Sequence, residues 1–345
     1  MNFIKTVWVI TVCFVAVNCA MGGYALTNEN LTAVDYSGMM IEGGFNVCDG
    51  QVYWWNASDG GHSLNTETGE ITDIGQPSSV NTNGYGDPFG VYDSTTNNFY
   101  GATYSNEGSS YLYRYNYTSG TWSSAGSAVN LYGGAVYNGS LYVSGLTQPW
   151  SGGYDNTFVS LYDLTGSGYN DALIEVGGAS AYVAVDNQGN VYYATYSITG
   201  DSALYSWTAE QVAEVINDLA NGEEDTYLTL VNGTKLCDLA GGANGITVDD
   251  AGNVFVTYNG TSDGSALIMW NGTSGNGYNY DILATSTDYY GWFGALSIDG
   301  NFLEGDSLYA CFNFYGGITE ITYIPEPATI AILALGGLFL RRGKQ

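Results

Sequence analysis

Only one histidine is available for chemistry in these 345 residues: His62, within the string "DGGHS". A single histidine excludes zinc sites built on several, and no serine and aspartate can be assigned to it as a triad. Its glycine-rich setting reads as a surface loop. Carboxylates offer another route, since two acids about 5 to 9 Å apart are enough for glycoside hydrolysis. With 34 Asp and Glu in the chain, however, no spacing singles out a pair. The densest string is "DGNFLEGD", where Asp299, Asn301, Glu304 and Asp306 offer the hard oxygen ligands that calcium takes. Its spacing is not that of an EF-hand, and solvated turn acids produce the same pattern.

Aromatic residues give a different signal. "NGYGDPFG" holds Tyr85, "NLYGG" Tyr132, "QPWSGGY" Trp150, "SAYVA" Tyr182, and "DYYGWFG" Tyr289, Tyr290 and Trp292. Flat rings beside amides and carboxylates suit sugars, stacking on C–H faces while polar groups take the hydroxyls. The same rings can instead fill a channel or pack between structural units.

All these residues need a scaffold, and the sequence repeats one. Its 49 glycines, 31 tyrosines and 12% charged residues favour short strands joined by tight turns. A small apolar segment, an Asp or Asn turn with Gly, and an apolar aromatic segment recur in "GGFNVCDGQVYWW", "FGVYDSTTNNFYGATY", "GGAVYNGSLYVSG", "AYVAVDNQGNVYYATY", "NGITVDDAGNVFVTY" and "GALSIDGNFLEGDSLYACF". The turn residues Asp49, Asp93, Asn138, Asp186, Asp249 and Asp299 are separated by 44, 45, 48, 63 and 50 residues. That period is one four-stranded propeller blade.

The expectation is therefore an all-β, six-bladed β-propeller with four-stranded blades, over residues 26–323. The last unit runs out after "GGITEITYI", and "ENLTAVDYSG", residues 29–38, supplies its fourth strand and closes the ring. The one long step contains a helix riding on blade four: Thr208 with Gln211 makes a capping box, and Val212, Val215, Ile216 and Leu219 share a face.

Two repeats, "NGITVDDAGNVFV" and "EGGFNVCDGQVYW", are similar to NHL-type and lactonase-type six-bladed propellers. The lactonase resemblance implies calcium in the central channel, with Glu42 and Asn244 where its ligands stand. It covers two of the six units and lacks the rest of the metal set.

The ends carry their own messages. Lys5, the apolar run Val7 to Val17 and Gly23-Tyr24-Ala25 read as a secretory signal peptide, residues 1–25, cut after Ala25. The chain finishes on "IPEPATIAILALGGLFLRRGKQ", residues 324–345, with an apolar run of thirteen residues where a bilayer-spanning helix needs about 20. Pro325, Glu326 and Pro327, that run, and Arg341 and Arg342 occur in an order that resembles the PEP-CTERM sorting signal. The resemblance implies an exported protein of a Gram-negative bacterium that makes exopolysaccharide. It also implies handling by the secretion machinery and signal peptidase, and a short transmembrane helix held transiently in the inner membrane with its basic end inside. Recognition at Pro-Glu-Pro by an exosortase would then release the protein to the cell surface or the extracellular matrix of a biofilm.

Between these ends, 33 acids face only Arg114 and Lys235, a formal charge of −31. Such an acidic protein repels phosphate, so no nucleic-acid partner is expected. Cys48, Cys237 and Cys311 are too few and too scattered for a disulfide framework, and read as small core residues. The combined reading is a non-enzymatic propeller that binds exopolysaccharide or another matrix component, with no cofactor other than, at most, calcium. The competing class is a calcium-dependent lactonase or glycoside hydrolase using carboxylates at the channel.

Overall fold

The computed structural model describes residues 24–36, 41, 43–56, 58–78, 80, 88–103, 110–128, 131–146, 157–162, 170–178, 181–196, 202–223, 226–260, 264–272, 280–286, 294–312 and 317–324. Their strands form six sheets, antiparallel except for one short added strand, arranged as a six-bladed propeller. From the centre outward, blade one is Phe45–Cys48, Gln51–Asn56, Gly60–Asn65 and Ile71–Gly75. Blades two to five repeat this order, with innermost strands Gly90–Asp93, Leu131–Tyr137, Val183–Val185 and Gly242–Val248. Blade six has Leu296–Ile298 innermost, then Ser307–Cys311 and Ile318–Tyr323. Each innermost strand lies against the next, and the sixth lies against the first.

The ring is closed by the N-terminal strand Leu31–Tyr36, which pairs with Ile318–Tyr323 as the fourth strand of blade six, as the sequence predicts. Two carboxylates fasten it. Asp35 accepts from the Thr319 hydroxyl at 2.6 Å, and Glu320 accepts from the Tyr36 hydroxyl at 2.6 Å. Ahead of it runs a short strand the sequence does not announce: Ala25–Leu26 pairs with Thr285 and Ala284 on the outer edge of blade five. Tyr24, assigned to the leader by sequence, is buried, stacks on Phe312 at 4.1 Å and donates to Asp35 at 3.0 Å.

The helix forms over Ala209–Ala220 with the full Thr208/Gln211 capping box. It is the insertion in blade four that the sequence predicts, between Ser202–Trp207 and Thr234–Leu239, and its apolar face also reaches the neighbouring blade. Val212 and Val215 pack with Leu173, Ile174 and Val176 of blade three as well as with Trp207 of blade four. The chain after it adds Leu228–Thr229 in parallel to Ile174 and Glu175. The insertion leaves blade four and covers the edge that blade three would otherwise expose.

Blades approach closely because glycine lies in their strands. The Trp55 indole lies on Gly101 of blade two, where any β-carbon would collide with it. Around that contact Trp55, Phe99, Tyr113 and Trp122 form an aromatic seam, with Tyr53 stacked on Tyr92 at 4.5 Å. Each such ring pair adds about 0.5 to 1.5 kcal/mol beyond simple burial. Among the described residues no disulfide links Cys48, Cys237 and Cys311, and burial pushes the Cys48 thiol up to about 11 and that of Cys237 up to about 12. No described helix is long and apolar enough to cross a membrane. Residues 1–23 of the expected leader (1–25) and the tail with Pro325, Glu326, Pro327, Arg341 and Arg342 lie outside the described residues.

Candidate functional site

Alternating strand directions give the ring two faces. The turns from first to second strand, with Asp49, Asp93, Asn138, Asp186, Asp249 and Asp299, lie on one, the turn face. The strands leading into each innermost strand end on the other, the loop face.

The turn face is sealed by its own hydrogen bonds. Asp186 and Asp249 each begin an Asp-x-x-Gly-Asn box: one carboxylate oxygen takes the backbone amides two and four residues on, and the other takes the amide of Asn190 or Asn253 at 2.7 Å. Neighbouring turns then lock together. Asp250 donates its amide to the carbonyl of Gly300 at 2.9 Å, and Asp49 donates its amide to the Asp299 carboxylate at 2.7 Å. The candidate calcium string is taken up in the same way. Asp306 accepts from the Asn301 amide at 2.6 Å, and the Asn301 side chain caps the single turn Phe302–Glu304 through Leu303, with Glu304 exposed at its end. Partial desolvation raises the Asp299 pKa, with repulsion from Asp49, Asp250 and Asp306 adding to it. The described acid-and-thiol group that converges is Cys48, Asp49 and Asp299, across the seam between blades one and six.

On the loop face the described candidates are Tyr132, Tyr182 and Asn244. Tyr132 and Asn244 are half-buried and occupy bulges at the entry of the innermost strands of blades three and five, where the register shifts between Leu131 and Gly133 and between Ala243 and Gly245. Tyr182 reaches further. It stands at the entry of blade four, yet a β-carbon added to Gly44 of blade one would lie 2.8 Å from its ring, and one added to Gly133 of blade three 2.9 Å. It also packs on the cluster holding Phe45, Tyr309 and Cys311. Tyr182 therefore spans the loop-side mouth of the central channel, and only glycine at positions 44 and 133 lets it pass. Desolvation raises its phenol pKa well above the ordinary value, with Cys311 a lesser cause, and its hydroxyl makes no hydrogen bond among the described residues. Glu42, Tyr85, Trp150, Tyr289, Tyr290 and Trp292 lie outside the described residues.

His62 is not a loop residue. It lies inside the strand Gly60–Asn65, 8% exposed, stacked on Trp54 at 5.1 Å and 3.1 Å from the Asp59 carboxylate. The two glycines before it belong to the same strand; a β-carbon on Gly61 would lie 2.8 Å from the Phe99 ring. Asn56, on the same sheet face, is buried with its Oδ1 unpaired among the described residues.

No family model matches the sequence, and no curated protein matches it. The fold is similar to several solved propellers. The PQQ-bound aldose sugar dehydrogenase of Streptomyces coelicolor is 12% identical at a TM-score of 0.55, over 85% of this chain and 98% of that one. The PQQ domain of pyranose dehydrogenase from Coprinopsis cinerea is 11% identical at 0.53, over 87% and 97%. A Bacteroides thetaiotaomicron protein of unknown function is 12% identical at 0.52, over 87% and 75%. At such identity the likeness is one of fold: the chain is a six-bladed β-propeller.

Proposed function

We propose that the protein is an exported ring that binds a neutral, hydroxyl-rich polymer, an exopolysaccharide or comparable matrix glycan, on its loop face and does not turn it over. The observation that carries this reading is Tyr182, a flat, half-buried ring that crosses the loop-side mouth of the channel between Gly44 and Gly133. A sugar would lay a C–H face on such a ring and take its phenol proton on a hydroxyl oxygen. The excess of 33 acids over two bases in the body favours a neutral ligand over an anionic one. Tyr85, Tyr289, Tyr290 and Trp292, the aromatic candidates of the sequence, are the further sugar contacts in this reading. The resemblance of the tail to a PEP-CTERM signal supports delivery to the cell surface or matrix by way of an exosortase.

The test is affinity electrophoresis of the mature protein through gels containing the producing organism's own exopolysaccharide, with product analysis with and without calcium. Retardation without cleavage, lost on Tyr290→Ala with Trp292→Ala, is expected. Unretarded migration sinks the reading.

A calcium-dependent lactonase or glycoside hydrolase is the second reading, and the His62 imidazole, 3.1 Å from the exposed Asp59 carboxylate, is what favours it. Turnover abolished by chelator, and metal lost on Glu42→Ala with Asn244→Ala, are its signature. The quinone cofactor named for two of the similar structures is a tricarboxylate and calls for cationic partners. Arg114 and Lys235, on the third strand of blade two and the outer strand of blade four, do not make such a site.

A further inference from the structure

We propose that the leader is removed between Gly22 and Gly23, so that Tyr24 and Ala25 belong to the mature ring. This rests on the export reading and fixes its processing site. By sequence, Gly23-Tyr24-Ala25 and Ala20-Met21-Gly22 both offer the small residues a signal peptidase needs at the first and third positions before the cut. Cuts after Ala20 or Gly23 would instead put Asn18 or Met21 at that third position.

The structure separates the two strings. Tyr24 is 6% exposed within the core cluster that joins Leu283 of blade five to Leu296 and Phe312 of blade six. Its ring covers the Phe312 face, and its hydroxyl is one of the donors that hold Asp35, the carboxylate fastening the ring-closing strand. Ala25 pairs with Thr285, and Thr27 continues the edge by donating its amide to Leu283 at 3.0 Å and its hydroxyl to the carbonyl of Ile282. A cut after Ala25 would remove Tyr24, uncover Phe312, take a donor from Asp35 and leave Leu26 as a charged chain end inside this pairing. A cut after Gly22 leaves every one of these contacts in place.

Intact mass and N-terminal sequencing of the protein released by the producing cell decide the matter. A chain beginning at Gly23 is the expected result. A chain beginning at Leu26 overturns the proposal while leaving export intact, and one still beginning at Met1 overturns the export reading as well. Variants of the full precursor give an independent arm. Gly22→Glu should accumulate uncut, whereas Ala25→Glu, at an exposed position, should be processed like the native chain. The reverse pattern overturns the proposal.

Discussion

Tyr182 separates two roles that an aromatic residue at a channel mouth can have. If the ring alone matters, as a plug, its hydroxyl is dispensable; if it recognises a ligand, the hydroxyl is the group that counts. Tyr182→Phe keeps the ring between Gly44 and Gly133 and removes a hydroxyl with no described partner, so folding stability should change by less than about 1 kcal/mol in urea melts. Retardation by glycan should nevertheless fall several-fold. Unchanged retardation would leave Tyr182 as a plug, with binding carried by other residues. At this scale the sequence reads unevenly. Tyr182 stands out because an aromatic at a strand entry is visible from its neighbours. His62 is misread because Gly60 and Gly61 look like loop residues, whereas Gly60 allows a positive φ against Gly75 within blade one and Gly61 allows close approach of Phe99 from blade two. Tyr24 is ambiguous in sequence because a leader and a two-residue edge strand draw on the same small residues.

Among the elements, the hairpin turns are the most legible, and for a local reason. An Asp-x-x-Gly-Asn string encodes its whole hydrogen-bond set within five residues. Asp249 is 2% exposed and serves the amides of Ala251 and Asn253, the Asn253 side chain and the amide of Phe302. Asp249→Ala strands several buried donors at once and should lower unfolding free energy by about 2 to 3 kcal/mol. Thr208→Ala removes one helix cap and should lower it by about 1 kcal/mol. Urea midpoints on both variants check the ranking, and a cap loss as large as the turn loss would show that the insertion is integral to blade three. The helix itself is legible from its capping box and apolar face. Its docking partner is not, because that depends on which blade edge lies open in three dimensions, and the parallel strand Leu228–Thr229 is only two residues long.

For the whole molecule, ring closure follows from counting strands, since a sixth blade lacking one strand and an N-terminal segment of matching pattern complete each other. The burial of the tyrosines sets a further property. Desolvation first, with nearby charges and phenols adding, raises the pKa of Tyr36, Tyr53, Tyr117 and Tyr192 above the ordinary value of 10.0, and desolvation does the same for Tyr193. An unfolded chain gives up these protons near pH 10, while the folded ring holds them. Stability from these groups is therefore full below pH 10 and falls as pH rises beyond it, by up to about 1.4 kcal/mol per pH unit for a buried phenol such as Tyr193 and by less for the half-buried Tyr36 and Tyr117. Urea midpoints that drop steeply between pH 10 and 11.5, after a flat stretch below, are expected; a flat profile throughout would mean that the phenols titrate freely.

The strand Ile318–Tyr323 descends from the loop face, and Ile324 is tied to the carbonyl of Asn30 at 2.7 Å on the turn face. The described chain therefore leaves the ring at the turn face, on the side opposite Tyr182. Under the proposed sorting reading, the point of attachment and the glycan-binding face are on opposite sides of the ring. Capture of an outside polymer would then not have to wait for release, and cutting the tail would change how far the ring travels, not what it can meet.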